Sequence, residues 1–167
     1  MRRREKPVDR LWAPWRSKYI YLRKRKGCIF CGAEKARDPA GRLIIERSAS
    51  SFAMLNLYPY NNGHVMVAPY RHVPSLDRLD DGQMLDLMRL LNRVKARIDS
   101  KMRPHGYNIG ANIGAVSGAG YAGHVHIHIV PRWKGDTNFI PVVSGVKVVS
   151  ESLEAMYRAL KAGPGQL

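Results

Sequence analysis

The sequence predicts an α+β domain: a five-stranded antiparallel sheet with one long and one short helix. Three observations lead there. Short apolar runs of strand length are separated by turn signals such as Tyr58-Pro59-Tyr60-Asn61-Asn62-Gly63. One long run, from about Asp80 to Met102, has helical periodicity. Most connections are short turns, which suit antiparallel neighbours. The chain's 167 residues and 45% hydrophobic content suit one domain with a single core.

Leu43–Glu46 is a short apolar strand. Ser51–Leu57 is a second, running into the Pro- and Asn-Gly-rich turn. His64–Ala68 alternates and stops at Pro69. Asp80 and Gln83 have the spacing of a capping box, which starts the long helix. Met84, Leu87, Met88, Leu91, Val94 and Ile98 recur at three and four and make its apolar stripe; Pro104 follows its end. Tyr107–Ile113 and His124–Val130 are two further strands. Gly114–Gly123 between them is small and glycine-rich: either a flexible connection or a loop whose backbone N–H groups can approach an anion. Ser150–Lys161 is a second helix with Leu153, Met156, Tyr157 and Leu160 on one face, ended by Gly163-Pro164. The chain divides into a basic arm at 1–26, a body at 27–149, and a C-terminal helix with its tail at 150–167. Trp12-Ala13-Pro14-Trp15 in the arm is too aromatic for a plain linker and is expected to dock.

Composition excludes several classes. No run approaches the roughly 20 apolar residues of a bilayer span, and Met1–Lys6 is charged with no apolar run after it, so no secretory signal is expected and a cytoplasmic location follows. Two cysteines do not make a disulfide framework. Net charge is +15, of which +9 lies in residues 1–26. That arm attracts polyanions, so nucleic acid is a conceivable but unfavoured partner; a solvated arm is the plainer reading.

The chemistry centres on His124-Val125-His126-Ile127-His128-Ile129-Val130. Strand alternation puts the three imidazoles on one face and Val125, Ile127 and Ile129 toward the core, with Val130 a further core candidate. Neutral imidazole is a nucleophile and a metal ligand, so covalent phosphoryl or acyl chemistry and a metal site are both open. His64 begins a strand after Asn-Gly, and Asn56 ends the strand before it, so a hairpin brings them to one end of the sheet. With Asn112 and the glycine-rich loop, this set suits a phosphate ester. Cys28-x-x-Cys31 is half of a tetrahedral zinc site, with His72 and His124 candidates to complete it. His105, beside Pro104, reads as a solvated or capping histidine; Tyr58 and Tyr60 read as turn or rim residues.

Gly63-His64-Val65-Met66-Val67-Ala68-Pro69 followed by His124-x-His126-x-His128 resembles the histidine-triad (HIT) family of nucleotidyl hydrolases and transferases. The likeness runs from about Leu11 to Val149. It is strongest toward the bacterial diadenosine tetraphosphate phosphorylase type, through Arg10–Arg16, Leu55–Asn61 and Pro131–Ile140. Gly123 is a departure, since relatives of that type often carry an acidic residue there. The resemblance implies a homodimer with one continuous ten-stranded sheet, and makes 27–149 the catalytic domain. It implies His126 as the nucleophile that forms a nucleotidyl-histidine, with His128 and His64 orienting the phosphate. Asn56, Leu57, Met54, Asn112, Ser117, Gly118, Ala119 and Gly120 would contact the nucleotide. Cys28, Cys31, His72 and His124 would hold a structural zinc. No organic cofactor is expected, though a divalent cation could accompany the substrate. The expected function is cleavage at the α-phosphate of a nucleotide, on a dinucleoside polyphosphate such as diadenosine tetraphosphate, by a phosphorylase or a hydrolase. Nucleoside phosphoramidates are an alternative substrate. A hydrolase with a catalytic metal on the triad, or a non-catalytic nucleotide or nucleic-acid binding module, remain rivals. The enzyme reading requires His126 to project into an open cleft.

Overall fold

The protein is described from a computed structural model over residues 27–33, 36–38, 40–41, 43–136 and 151–161. The basic arm, its tryptophans, the segment from Thr137 to Ile140, Ser150 and Gly163-Pro164 lie outside the described residues. All that follows concerns the compact unit formed by 25–134 and 149–167.

Five strands form one antiparallel sheet in the order β1-β2-β3-β5-β4. They are β1 (Ile44–Arg47), β2 (Ser51–Leu55), β3 (Val65–Pro69), β4 (Gly106–Ala111) and β5 (Ile127–Arg132). Helix α1 (Asp81–Met102) lies between β3 and β4, and α2 (Leu153–Lys161) follows β5. Each strand falls within a residue or two of its expected place. The exception is the entry to β5: His124, Val125 and His126 precede the ladder. The backbone N–H of Val125 bonds instead to the Val73 carbonyl at 2.7 Å, so this stretch is held by the segment after β3.

The expected capping box is present. The Asp80 carboxylate accepts from the Gln83 backbone N–H at 2.8 Å, and the Gln83 side chain accepts from the Asp80 N–H at 3.4 Å. Arg103 closes the helix in the left-handed region, at φ 47°. The stripe needs correction. Leu87, Leu90, Leu91, Val94 and Ile98 are buried, whereas Met88 is 41% exposed. The buried face is rotated toward Leu90, and Met156 and Leu160 of α2 share the core with it. Leu76–Arg78 and Ala115–Ser117 are single 3-10 turns.

Alternation gives the sheet two faces. Ile45, Ala53, Leu55, Val65, Val67, Ile127 and Ile129 pack under α1 and α2. Ile44, Phe52, Met66 and Ala68 face the other way and pack with Phe30 and Ala33. Val130 is buried, but it shares the parity of His128 and so belongs to the second face rather than under α1. Asp86 of α1 fastens the β1–β2 turn by accepting from the Ser48 hydroxyl (2.7 Å) and from the Ser50 hydroxyl and backbone N–H (2.9 and 3.0 Å).

Truncating Leu90 to Ala should cost about 2–5 kcal/mol of stability in urea unfolding, the range for a buried leucine. Met88→Ala should stay within about 0.5 kcal/mol, as exposed sites do. Equal losses at the two positions would contradict the rotated stripe.

Candidate functional site

The sheet face opposite α1 carries the histidines. Register sets His128 opposite Met66 of β3 and Gly110 of β4. His64 stands two residues before Met66 and so shares its face. Ring centroids are 5.0 Å apart for His64–His128 and 4.9 Å for His126–His128. Gly110 matters here: a Cβ at that position would meet nothing within 4 Å, so there is open space beside His128.

Hydrogen-bond partners assign the ring protons. His126 Nδ1 lies 2.9 Å from its neighbour's carbonyl, that of His124. A carbonyl only accepts, so Nδ1 carries the hydrogen and Nε2 keeps a bare lone pair. The backbone N–H of Tyr60 donates to His64 Nδ1 at 3.0 Å. His64 therefore holds its hydrogen on Nε2 and donates it to His128 Nδ1 at 2.9 Å. The remaining hydrogen of His128 must sit on Nε2. The cluster thus offers one bare nitrogen, His126 Nε2, and one N–H donor, His128 Nε2.

Burial keeps these rings neutral. It pushes His64 from 6.5 down to about 3, helped by charge on His128 and His126. It pushes His128 to about 4, with His126 adding to the effect. Burial also lowers His126, against the opposing bond to the His124 carbonyl. The expectation that His126 itself projects into an open cleft is corrected: it is 5% exposed, and the open space at the triad is the one beside Gly110, at the neighbouring His128. Phe30 lies over it, with centroids 4.6 Å apart, and also packs on His124 at 5.1 Å. Tyr60 flanks the other end, 4.7 Å from His64 and 5.9 Å from His128. A mainly apolar cavity of about 210 Å³ lies past His64, lined also by Leu55, Pro59, Gly63, Leu153 and Met156 rather than by His126.

Next to the cluster stands a Cys2His2 set. His124 Nε2 donates to the Pro69 carbonyl at 2.8 Å, which leaves Nδ1 bare. That Nδ1 is 3.4 Å from Cys28 Sγ and 3.8 Å from Cys31 Sγ, and His72 Nδ1 is 3.2 Å from Cys31 Sγ. All four donor atoms lie within 4.8 Å of one another. Tetrahedral zinc, with its usual bond lengths to sulfur and nitrogen, would separate S and N by roughly 3.5 Å. The donors therefore fit that ion in type, number and spacing. Burial and the neighbouring Cys28 thiol push the Cys31 thiol up, and a bound cation would reverse that preference. His126, His128 and His64 stand outside this set.

The other residues singled out in the sequence are distributed unevenly. Asn56 and His64 do meet: Asn56 N–H donates to the His64 carbonyl at 3.0 Å, and its amide nitrogen is 3.4 Å from His64 Nδ1. Asn56 Oδ1 also accepts from the Tyr58 N–H at 2.9 Å. Met54 packs on the histidine face beside Phe52, whereas Leu57 is 56% exposed. Asn112 follows β4 in phase with Gly110. Ser117 donates its hydroxyl to the Gly114 carbonyl at 2.7 Å, and Gly118 takes φ 85° at the end of that turn, with Ala119 and Gly120 next. His105 is exposed and caps no helix, since Arg103 is the C-cap; its N–H bonds to the Arg132 carbonyl at 2.8 Å, and its Nδ1 accepts from the Lys134 N–H at 2.9 Å. The Trp133 indole donates to the Met102 carbonyl at 3.3 Å. Phe30, the Tyr60 amide and the Pro69 carbonyl were not identifiable as site groups from sequence; an aromatic between two ligating cysteines was the one available signal.

Comparison with known proteins gives a consistent result. A family model described as "HIT domain" matches residues 40–135. The chain is 39% identical over 162 residues to "AP-4-A phosphorylase" of Mycobacterium tuberculosis, covering 92% of this chain and 83% of that one. It is 37% identical over 101 residues to the asymmetrical bis(5'-nucleosyl)-tetraphosphatase of Schizosaccharomyces pombe, covering 60% and 55%. Among solved structures, a Zn-bound histidine triad family protein from Mycobacterium smegmatis superposes with a TM-score of 0.64 at 23% identity, over 81% of this chain and 91% of that one.

The neutral rings make stability depend on acid. Below 6.5 the unfolded chain takes up protons that folded His64 and His128 refuse until about 3 and 4. Stability should therefore fall as pH drops from 6.5 toward 4.5. The urea midpoint should track that fall, and the slope should be shallower in His64→Asn. A parallel slope in that variant would assign the acid sensitivity to other groups.

Proposed function

This chain belongs to the HIT family, and on that footing we propose that it cleaves nucleotides at the α-phosphate through a nucleotidyl-His126 intermediate, with dinucleoside polyphosphates such as diadenosine tetraphosphate as substrates. The observation that carries the proposal is the bare Nε2 of His126, secured by the bond from its Nδ1 to the His124 carbonyl. The family's relatives named for diadenosine tetraphosphate phosphorolysis and tetraphosphatase activity support the substrate class.

In the first step His126 Nε2 attacks the α-phosphorus. The P–N bond forms and the P–O bond to the departing nucleoside polyphosphate breaks, so the leaving group takes the electron pair. The ring becomes an imidazolium that keeps its Nδ1 hydrogen, and the His124 carbonyl stabilises that charge. His128 donates its Nε2–H to a phosphoryl oxygen, with its orientation held by His64. Asn56 and Asn112 are the amides for ribose and phosphate, and the Ser117–Gly120 loop supplies backbone donors. Met54 and Leu57 border the base. In the second step an oxygen of inorganic phosphate or water attacks phosphorus and the P–N bond breaks, which restores neutral His126. Phosphate as acceptor gives ADP and ATP from diadenosine tetraphosphate; water gives AMP and ATP.

Cys28, Cys31, His72 and His124 would hold zinc. Four protein ligands close its coordination, so its role is to tie the segment around Phe30 to the entry of β5. Homodimerisation through β4 is supported by its position at the sheet edge and by Ile109, which is 44% exposed there.

Two measurements test the reading. Incubation with diadenosine tetraphosphate should yield ADP plus ATP in a phosphate-dependent manner for a phosphorylase, or AMP plus ATP without phosphate for a hydrolase. No turnover in either condition would sink the substrate assignment. His126→Asn should lose more than about a hundredfold of activity with an unchanged circular dichroism spectrum; near-wild-type turnover would remove the nucleophile.

A further inference from the structure

On the histidine face, β4 presents two glycines and an asparagine. Register pairs Gly110 with His128, Asn108 with Val130 and Gly106 with Arg132, and paired residues share a face. A Cβ at Gly110 or at Gly106 would meet nothing within 4 Å, and neither residue has the positive φ that would itself call for glycine. Glycine inside a strand weakens it and marks a place where a ligand or another chain comes close to the backbone. Val130 is buried while Asn108 is exposed, so the open strip beside His128 runs along β4. The Arg132 guanidinium reaches over this strip: its Nη1 donates to Asn108 Oδ1 at 2.7 Å. Register alone would leave Arg132 beside Gly106, and the bond to Asn108 draws its charge one same-face step toward His128. From Asn108 to Gly110 is two residues, or about 7 Å of strand.

We propose that Arg132, oriented by Asn108, binds the phosphates beyond the α-phosphate, so that the site selects nucleotides with a polyphosphate chain over substrates that carry one phosphate. The inference rests on the reading that the α-phosphate docks at His126 and His128. Met54 and Asn56 then take the nucleoside on the β2 side, and the rest of the chain extends the other way, over β4, where the glycines leave room. A guanidinium presents a planar fork that matches phosphate oxygens. Neither β4 nor β5 contains an acidic residue that would repel the chain. A cross-strand Arg–Asn pair also steadies a sheet edge. A pair serving that purpose alone would gain from side chains beside it, and here both same-face neighbours of Asn108 are glycines.

The test titrates AMP and α,β-methylene-ATP, which cannot be cleaved next to its α-phosphate, into the full-length protein at fixed ionic strength. Wild type should bind the triphosphate more tightly than AMP. In Arg132→Gln the triphosphate should bind about tenfold more weakly, the cost of one charge-assisted contact, and AMP should bind as before. Arg89→Gln removes the same charge from the exposed surface of α1 and should change neither affinity. Asn108→Ala keeps the charge but releases the guanidinium, and should lose part of the preference; it decides the matter if Arg132→Gln fails to fold. A triphosphate preference retained in Arg132→Gln, or lost equally in Arg89→Gln, would overturn the subsite. Turnover of diadenosine tetraphosphate alongside such a result would leave the proposed reaction standing. No turnover, with the preference present and dependent on Arg132, would remove that substrate and leave the subsite in place.

Discussion

Two backbone carbonyls decide which nitrogen each of two histidines leaves bare. The carbonyl of His124 takes the Nδ1 hydrogen of His126, and the carbonyl of Pro69 takes the Nε2 hydrogen of His124. Each leaves the opposite nitrogen bare, and each bare nitrogen has different neighbours. On His126 it is Nε2, beside His128. On His124 it is Nδ1, among the sulfurs. Two histidines separated by one residue thus present opposite nitrogens to different partners. Without those carbonyls either ring could exchange tautomers, and the fixed assignment of the two bare nitrogens would be lost.

Much of the frame was legible in the sequence. The long helix was readable because its start is written locally, in Asp80 and Gln83, and its period is clear. Its buried face was less so. Leu90 is buried in place of Met88, in a core that α2 shares from far along the chain, and nothing local to the helix announces this. Strand alternation predicts one face for the three histidines, and only His128 of them stands in the ladder. What it could not show is that His124 and His126 lie ahead of the ladder, since the partner of Val125 is Val73.

The grouping of Cys28, Cys31, His72 and His124 was readable as residue types, and the structure brings their donor atoms together. The proton assignments were not readable. They depend on contacts between residues 55 and 64 positions apart, His124 with Pro69 and His128 with His64. The burial of His126 was also hidden, because it follows from Phe30, which arrives from the turn between the cysteines. A sequence supplies the side chains of such a site more readily than it supplies its lid.

Cys28 and His124 stand 96 positions apart. A clasp across them encloses most of the folded body in one ring of chain. In the chain-entropy picture, closing a ring of that size costs an unfolded polymer about 4–5 kcal/mol. Such a clasp closes over β1 to β4 and α1, so it favours the assembled topology rather than any local segment. The nitrogen that meets the clasp and the bare nitrogen of His126 sit two residues apart, so the same closure sets the place of both.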